Sequence, residues 1–204
     1  MSFQWIFDNA ESISINSRGV TASTTSRDGT VRATSRGGQV WRFEVKLPDG
    51  PKWSEYRSEI AGAEALDRFT TSTISLSDSG YTNWLLAYQG DAANTAAISA
   101  DWTTGNTITL TGGQATSGYN FRAGDVIQLG TGGSCYTVSA DVVYTNNTVT
   151  LNRPILDAPG TGVTLRVAED CVWTVICTQF PDWNIFARDQ ISWSGPFVFY
   201  ESLV

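Results

Sequence analysis

The sequence predicts a mainly β protein, organised as a discontinuous β-sandwich or barrel domain with one α-helix and a small β-barrel inserted within it. Three observations predict this. Residues 121–156, FRAGDVIQLGTGGSCYTVSADVVYTNNTVTLNRPIL, alternate short apolar strands with Gly- and Asn-rich turns. Trp41, Phe43, Val45 and Leu47 alternate strictly with Arg42, Glu44 and Lys46, the period-2 pattern of a strand with one wet face. The C-terminal segments 171–180 and 191–200 are heavily aromatic, yet the 24 residues from Pro181 onward are too few for a core of their own. They are expected to complete the N-terminal sheet, which makes the middle of the chain an insertion.

The elements follow in order. In the first region, which runs to about Leu86, Arg27-Asp28-Gly29-Thr30 forms a turn that lets 20–25 pair with 30–34. The strand at 41–47 comes next, and after Pro48-Asp49-Gly50-Pro51 the period changes. Trp53, Tyr56, Ile60 and Ala63 recur at i, i+3, i+7 and i+10, Pro51 stands near the start, and Glu64 precedes Arg68 by four residues, so 52–67 reads as an amphipathic helix lying across the sheet. Residues 69–77, rich in Thr and Ile, return to strand.

From about 87 to 170 the composition shifts to Gly, Thr, Ser, Asn and Ala. Three bases, Arg122, Arg153 and Arg166, face seven acids, Asp91, Asp101, Asp125, Asp141, Asp157, Glu169 and Asp170, a local charge of −4. Short strands are expected at 106–111, 126–129, 135–139, 141–145, 148–151 and 163–168, a spacing that suits a small barrel. The division is 1–88 with 172–204 for the discontinuous domain and 89–171 for the insert. Gly195-Pro196 interrupts the last strand.

Composition narrows function by exclusion. With 41% hydrophobic residues, 8 Trp, 9 Phe and 7 Tyr, the chain has the apolar area a folded core requires. A net charge of −7 argues against stable nucleic-acid binding, which depends on Lys and Arg displacing counterions from phosphate. The N-terminus has no basic region followed by an apolar run, and no segment approaches the ~20 apolar residues of a membrane span, so a soluble protein made in the cytoplasm is expected. Cys135, Cys171 and Cys177 sit in apolar strands and read as buried reduced thiols.

The absence of histidine removes Ser-His-Asp and Cys-His nucleophile systems, imidazole bases and most zinc sites. Glu44, Glu55, Glu59 and Asp182 are the nominal carboxylates for glycoside cleavage, but each falls on a polar strand face, a helix face or a turn. Gly130 to Gly133 lacks the Lys and Ser/Thr of a phosphate loop, and there is no alternating Asp/Asn calcium loop. No enzyme, metal or cofactor is expected. Trp5, Trp41, Trp84, Trp173 and Trp193 lie in apolar runs and read as core rather than as sugar-stacking platforms. Arg18, Arg27, Arg32 and Arg36, with few acids nearby, form either a solvated hairpin face or a contact for an acidic partner.

Taken together, FRAGDVIQLG, the Tyr-bearing SCYTVSADV, TVTLNRPIL and the terminal ISWSGPFVFYES behind a helix-containing β domain resemble the distal tail proteins of long-tailed (siphovirus) phages over nearly the whole chain. That resemblance implies a β domain assembled from both chain ends and an inserted barrel of oligonucleotide/oligosaccharide-binding (OB) type. It also implies a homo-oligomer, a hexameric ring between the tail tube protein and the baseplate hub protein at the virion tail tip, around the DNA exit channel. Arg27, Arg32 and Arg36 are the expected ring-interface residues. As a single-strand binding face Trp102, Tyr119 and Tyr136 lack basic neighbours. The alternative function is a carbohydrate-binding receptor module using the inserted barrel, and a glycosidase is a third.

Overall fold

The structure, a computed structural model, describes residues 2–17, 21–25, 27, 31–35, 39–66, 70–77, 86–186 and 188–202. In chain order the elements are α1 (Gln4–Asp8), β1 (Ser12–Asn16), β2 (Thr21–Thr25), β3 (Val31–Ser35), β4 (Arg42–Lys46), α2 (Trp53–Glu64) and β5 (Ser72–Ser75). They continue with β6 (Ser99–Trp102), β7 (Thr107–Gly112), β8 (Tyr119–Phe121), β9 (Val126–Leu129), β10 (Cys135–Thr137), β11 (Val142–Val143) and β12 (Thr148–Thr150). The last five are β13 (Gly160–Val167), β14 (Val172–Gln179), β15 (Trp183–Phe186), β16 (Gln190–Trp193) and β17 (Phe197–Glu201). The protein is mainly β, as its alternating patterns predict. Internal contacts divide it into two units, one of Ala10–Thr71 with Val175–Val204 and one of Ser2–Asn9 with Ser72–Thr174. These bounds differ from the divisions at 88/89 and 171/172 drawn on composition, because chain contacts rather than composition set them.

In the first unit the strands pair in the order β1-β4-β17-β14, so the C-terminal strand β17 lies between β4 and β14. Register explains why those sequences pair. Ile15 stands opposite Phe43, Phe43 opposite Phe199, and Phe199 opposite Cys177, while Ile13, Val45 and Phe197 form the next row. Phe43, Val45, Phe197 and Phe199 are fully buried, and each burial contributes about 1.5–3 kcal/mol. The other face carries Ser14, Glu44 and Val198 in one row, with Arg42 and Glu44 paired at 2.8 Å. That half-exposed ion pair adds little stability. Ser194, Gly195 and Pro196 separate β16 from β17, so 191–200 is two strands, the proline lacking the N–H a continuous ladder needs.

Helix α2 buries Ile60, Gly62 and Ala63 and leaves Glu55, Glu59 and Glu64 in solvent. It begins and ends within three residues of the predicted 52–67. Trp53 and Tyr56 are only half-buried: the Trp53 ring stacks on Trp183 at 4.5 Å rather than entering the core. β2 and β3 pair over five residues, Thr21 opposite Ser35 through Thr25 opposite Val31, as the Arg27-to-Thr30 turn predicts.

In the second unit a six-stranded sheet runs β10-β9-β13-β6-β7-β12 and curls until its terminal strands meet. Val138 bridges Leu151, Ser139 N–H donates to Thr150 O at 2.8 Å, and Asn152 N–H donates to Thr137 O at 2.9 Å. Inside lie Ile98, Ala100, Ile108, Leu110, Phe121, Ile127, Tyr136, Val149 and Leu165 among others. The expected strands at 126–129 and 148–151 form as β9 and β12, whereas 141–145 contributes only the two residues of β11. β6, whose Ser-Ala-Asp-Trp sequence has low β-propensity, and the three-residue β8 carry too weak a local signal to be predicted.

The expectation of one α-helix is corrected by α1. It is one turn and a half long, with no side-chain cap, but Phe3, Ile6 and Phe7 are fully buried. Its Gln4 amide acts as a surrogate strand, accepting from Ser75 N–H and donating to Ser75 O at 2.8 Å each. Packing, not propensity, holds so short a helix.

Candidate interaction surface

The second unit contains buried polar groups, several of them bonded to backbone. The Asp125 carboxylate accepts from Gln89 N–H at 3.0 Å and Arg122 N–H at 2.8 Å; burial pushes its pKa up while those two donors pull it down. Gly124, at φ +103°, lies in the turn that Asp125 N–H closes on Arg122 O at 3.1 Å. Asn120 accepts from Ala115 N–H at 2.8 Å and donates to Asn146 O at 2.9 Å, and Tyr88 OH donates to Asn120 O. Gln128 donates to Val172 O at 2.8 Å and accepts from Val172 N–H at 3.1 Å. Tyr136 OH donates to Asp157 at 2.7 Å and accepts from Leu156 N–H at 2.9 Å, and burial pushes its pKa up to about 12. These groups tie loops to strands.

Glu44 pairs with Arg42, Glu55 lies 3.5 Å from Lys52, and Glu59 and Asp182 are exposed. Among the described residues no group of three or more His, Cys, Asp or Glu side chains is placed to hold a metal ion. Cys135, Cys171 and Cys177 are buried, their thiols donating to the backbone carbonyls of Val172, Val126 and Gln179. No helix among the described residues is long and apolar enough to cross a membrane.

The aromatic residues divide. Trp41 and Trp173 are buried as predicted, Trp5 and Trp193 are half-buried, and Trp84 lies outside the described residues. Trp102 and Tyr136 are buried as well, the former donating its indole N–H to Ala158 O at 2.7 Å, and the Arg122 guanidinium covers the Tyr119 ring at 3.4 Å. Those three rings therefore do not form an open stacking surface, and among the described residues Tyr144 is the most exposed ring of the second unit, at 47%.

Of the three arginines expected at an interface, Arg27 sits exposed in the turn between β2 and β3, the backbone of Arg32 pairs with Thr24 within that ribbon, and Arg36 lies outside the described residues.

A feature absent from the sequence reading lies in the first unit. β15 and β16 form a hairpin, Trp183 opposite Trp193 through Phe186 opposite Gln190, and Ile185 (51%) and Phe186 (42%) are exposed on it. Arg188 and Asp189 close it at φ +52° and +77°, a conformation costing an L-residue roughly 1–2 kcal/mol. Anchors hold this turn on the start of α2. Trp53 N–H donates to Asp189 O at 2.7 Å, Ser54 N–H to Asp189 Oδ1 at 3.1 Å, and Ser54 Oγ–H to Asp189 Oδ2 at 2.6 Å. One edge of β16 is taken by the chain at Gly50–Lys52, through Gly50 N–H to Ile191 O at 2.8 Å and Ile191 N–H to Pro51 O at 2.9 Å. β15 is thus the outer strand. The same unit has an open depression of about 270 Å³ lined by Ser12, Ile13, Ser14, Glu44, Lys46 and Pro196.

No protein-family model matches this chain, and no curated protein matches it by sequence.

Proposed function

We propose that this chain is a structural protein of a phage tail tip, forming a hexameric ring that joins the tail tube to the baseplate hub and surrounds the DNA exit channel. The observation that carries the reading is the seat of ISWSGPFVFYES. Its last strand lies between β4 and β14 at the centre of the sheet begun by the N-terminal segment, so both chain ends build one domain, the organisation expected of a distal tail protein. A curled sheet in the intervening segment fits the OB-like insert of that architecture. A net charge of −7 also suits a conduit, since like charge repels phosphate and lets the polymer slide.

The test is assembly. Rings in electron micrographs of the purified protein, and antibody labelling at the tail tip of virions, are the expected results. Reversing Arg27, Arg32 and Arg36 to Glu is expected to leave the monomer folded and to reduce tail assembly in infection complementation, with salt changing the defect. Normal tails from a phage deleted for the gene, or tight DNA binding by the protein at physiological salt, would overturn the reading.

A further inference from the structure

Pro48-Asp49-Gly50-Pro51 contains one of the two Asp-Gly pairs of the chain, the other being Asp28-Gly29. An Asp-Gly step is the aspartyl step most prone to spontaneous isomerisation, because glycine has no Cβ to shield its nitrogen from the preceding carboxyl group. Nothing crowds the pair at Asp49. A Cβ placed on Gly50, which stands at φ +102°, would meet no atom within 4 Å, and the Asp49 side chain is exposed. Such a pair reacts readily unless its two reacting groups are held apart.

β16 holds both of them. Gly50 N–H donates to Ile191 O at 2.8 Å, which occupies the nucleophilic nitrogen, and Asp49 Oδ1 accepts from Trp193 N–H at 3.0 Å, which fixes the carboxylate. The same edge continues through Ile191 N–H to Pro51 O at 2.9 Å, the bridge between Lys52 and Gln190, and Trp53 N–H to Asp189 O at 2.7 Å. Residues 49–53 therefore lie zipped along β16, and the far end of the zipper is fastened by the Asp189 carboxylate on Ser54. Each bond is modest, but reaction at Gly50 has to wait until at least two have opened together, which slows the paired form by about tenfold or more.

We infer that Asp49-Gly50 is a site of spontaneous backbone isomerisation that the β16 edge keeps latent, so that it marks those chains whose β15–β16 hairpin has parted from residues 49–53. Once the two have parted, the Gly50 nitrogen attacks Asp49 Cγ, the bond from Cγ to its hydroxyl breaks, and the hydroxyl leaves with the amide proton as water, closing a cyclic imide. Water then opens the imide at either carbonyl. Opening at Cγ restores aspartate, and opening at the main-chain carbonyl gives isoaspartate; a water is lost and a water regained, and no other reactant is needed. The isoaspartyl main chain is longer by one carbon, so the Gly50 amide and the carboxylate no longer fall opposite Ile191 and Trp193 together. Parting thereby becomes permanent in the chains that react. This chemistry is independent of the tail-tip reading.

Ageing the full chain at neutral pH, well below its unfolding temperature, and mapping its peptides by a separation that resolves isoaspartyl from aspartyl forms tests this. In denaturing urea Asp49-Gly50 and Asp28-Gly29 should isomerise at similar rates, which sets the rate of the unfolded chain. In buffer isoaspartate at Asp49 should form about tenfold or more slowly than in urea. Asp189→Ala, checked by near-ultraviolet circular dichroism to be folded, unfastens the far end of the zipper and should raise the native rate several-fold. Asp49→Asn keeps the acceptor for Trp193 N–H and passes through the same imide with loss of ammonia, so its protection in buffer relative to urea is read directly as a mass change and does not depend on how Asp189→Ala folds. Chains carrying isoaspartate at this position, purified by ion exchange, should show faster hydrogen exchange at the Gly50 and Ile191 amides than fresh chains. Equal rates in buffer and urea for the wild type or Asp49→Asn, a folded Asp189→Ala that reacts no faster than the wild type, or unchanged exchange in the isoaspartyl chains would each overturn the inference.

Discussion

Asp189→Ala is expected to destabilise the first unit by about 0.5–3 kcal/mol, and the figure can be built from the structure. Helix α2 has Lys52 at its N-cap, with no side-chain bond to the orphaned amides of the first turn. Asp189, 135 residues downstream of Ser54, takes that role through Ser54 N–H at 3.1 Å and Ser54 Oγ–H at 2.6 Å. Loss of a capping oxygen costs about 0.5–2 kcal/mol. Alanine keeps the left-handed backbone at φ +77° without the local hydrogen bonding that helps Asp tolerate it, which adds up to about 1 kcal/mol. Asp189→Asn retains an acceptor and is suited to that conformation, so it should cost least. Asp189→Gly loses the cap but releases the strain, and should fall between. Arg188→Gly touches no cap; relief of roughly 1–2 kcal/mol of strain, less roughly 0.5–1 for the added freedom of the unfolded chain, leaves a gain of about 0.5–1 kcal/mol. Urea unfolding followed by tryptophan fluorescence suits the measurement, since the Trp53–Trp183 stack lies beside the site. Equal midpoints for Asp189→Ala and the wild type, or a loss from Arg188→Gly, would refute both the capping role and the strain.

Three further outcomes are expected. Ile60→Ala, at a fully buried position of α2, should cost about 2–5 kcal/mol, or a thermal midpoint lower by very roughly 2–4 °C per kcal/mol for a chain of this size, while the neighbouring Glu59→Ala stays within about 0.5 kcal/mol. Deleting residues 196–204 takes out the central strand β17 and with it the buried Phe197 and Phe199; the shortened chain should lose near-ultraviolet ellipticity and bind a hydrophobic dye. Tyr136, whose folded-state pKa is raised from 10.0 to about 12, contributes stability that is complete below about pH 10 and is lost as pH rises through about 12. A phenolate titration of the native protein should lose a late-ionising step in Tyr136→Phe, while Tyr88, which burial also pushes up, stays above the ordinary range.

Legibility in the sequence followed the range of the physics involved. The alternation in 41–47 and the turns of 121–156 are properties of a few adjacent residues, so β4, β9, β10 and β12 are found close to where periodicity puts them. α2 is legible because one turn of helix brings Ile60 and Ala63 onto the same face. α1 is not, since its five residues are held by contacts made through Phe3, Ile6 and Phe7 and by Gln4 bonding Ser75, partners about 70 residues away.

The same distinction accounts for the candidate surface. Arg27, Arg32 and Arg36 stand out in the sequence because charge can be counted locally, yet a count does not say which atoms a fold presents to a partner. Ile185 and Phe186 look in sequence like core residues of an aromatic tail, and only register decides otherwise: β16 is covered along one edge by Gly50–Lys52, which leaves β15 outermost. A residue's sequence neighbours specify that a strand forms, whereas distant chain determines which of its faces and edges remain uncovered. The turn at Arg188 and Asp189 is where these levels conflict, as local preference opposes the left-handed pair and the bonds to Trp53 and Ser54 impose it. The strained pair persists because Asp189 supplies the acceptors that the first turn of α2 lacks, so substitutions at this turn are expected to register in stability.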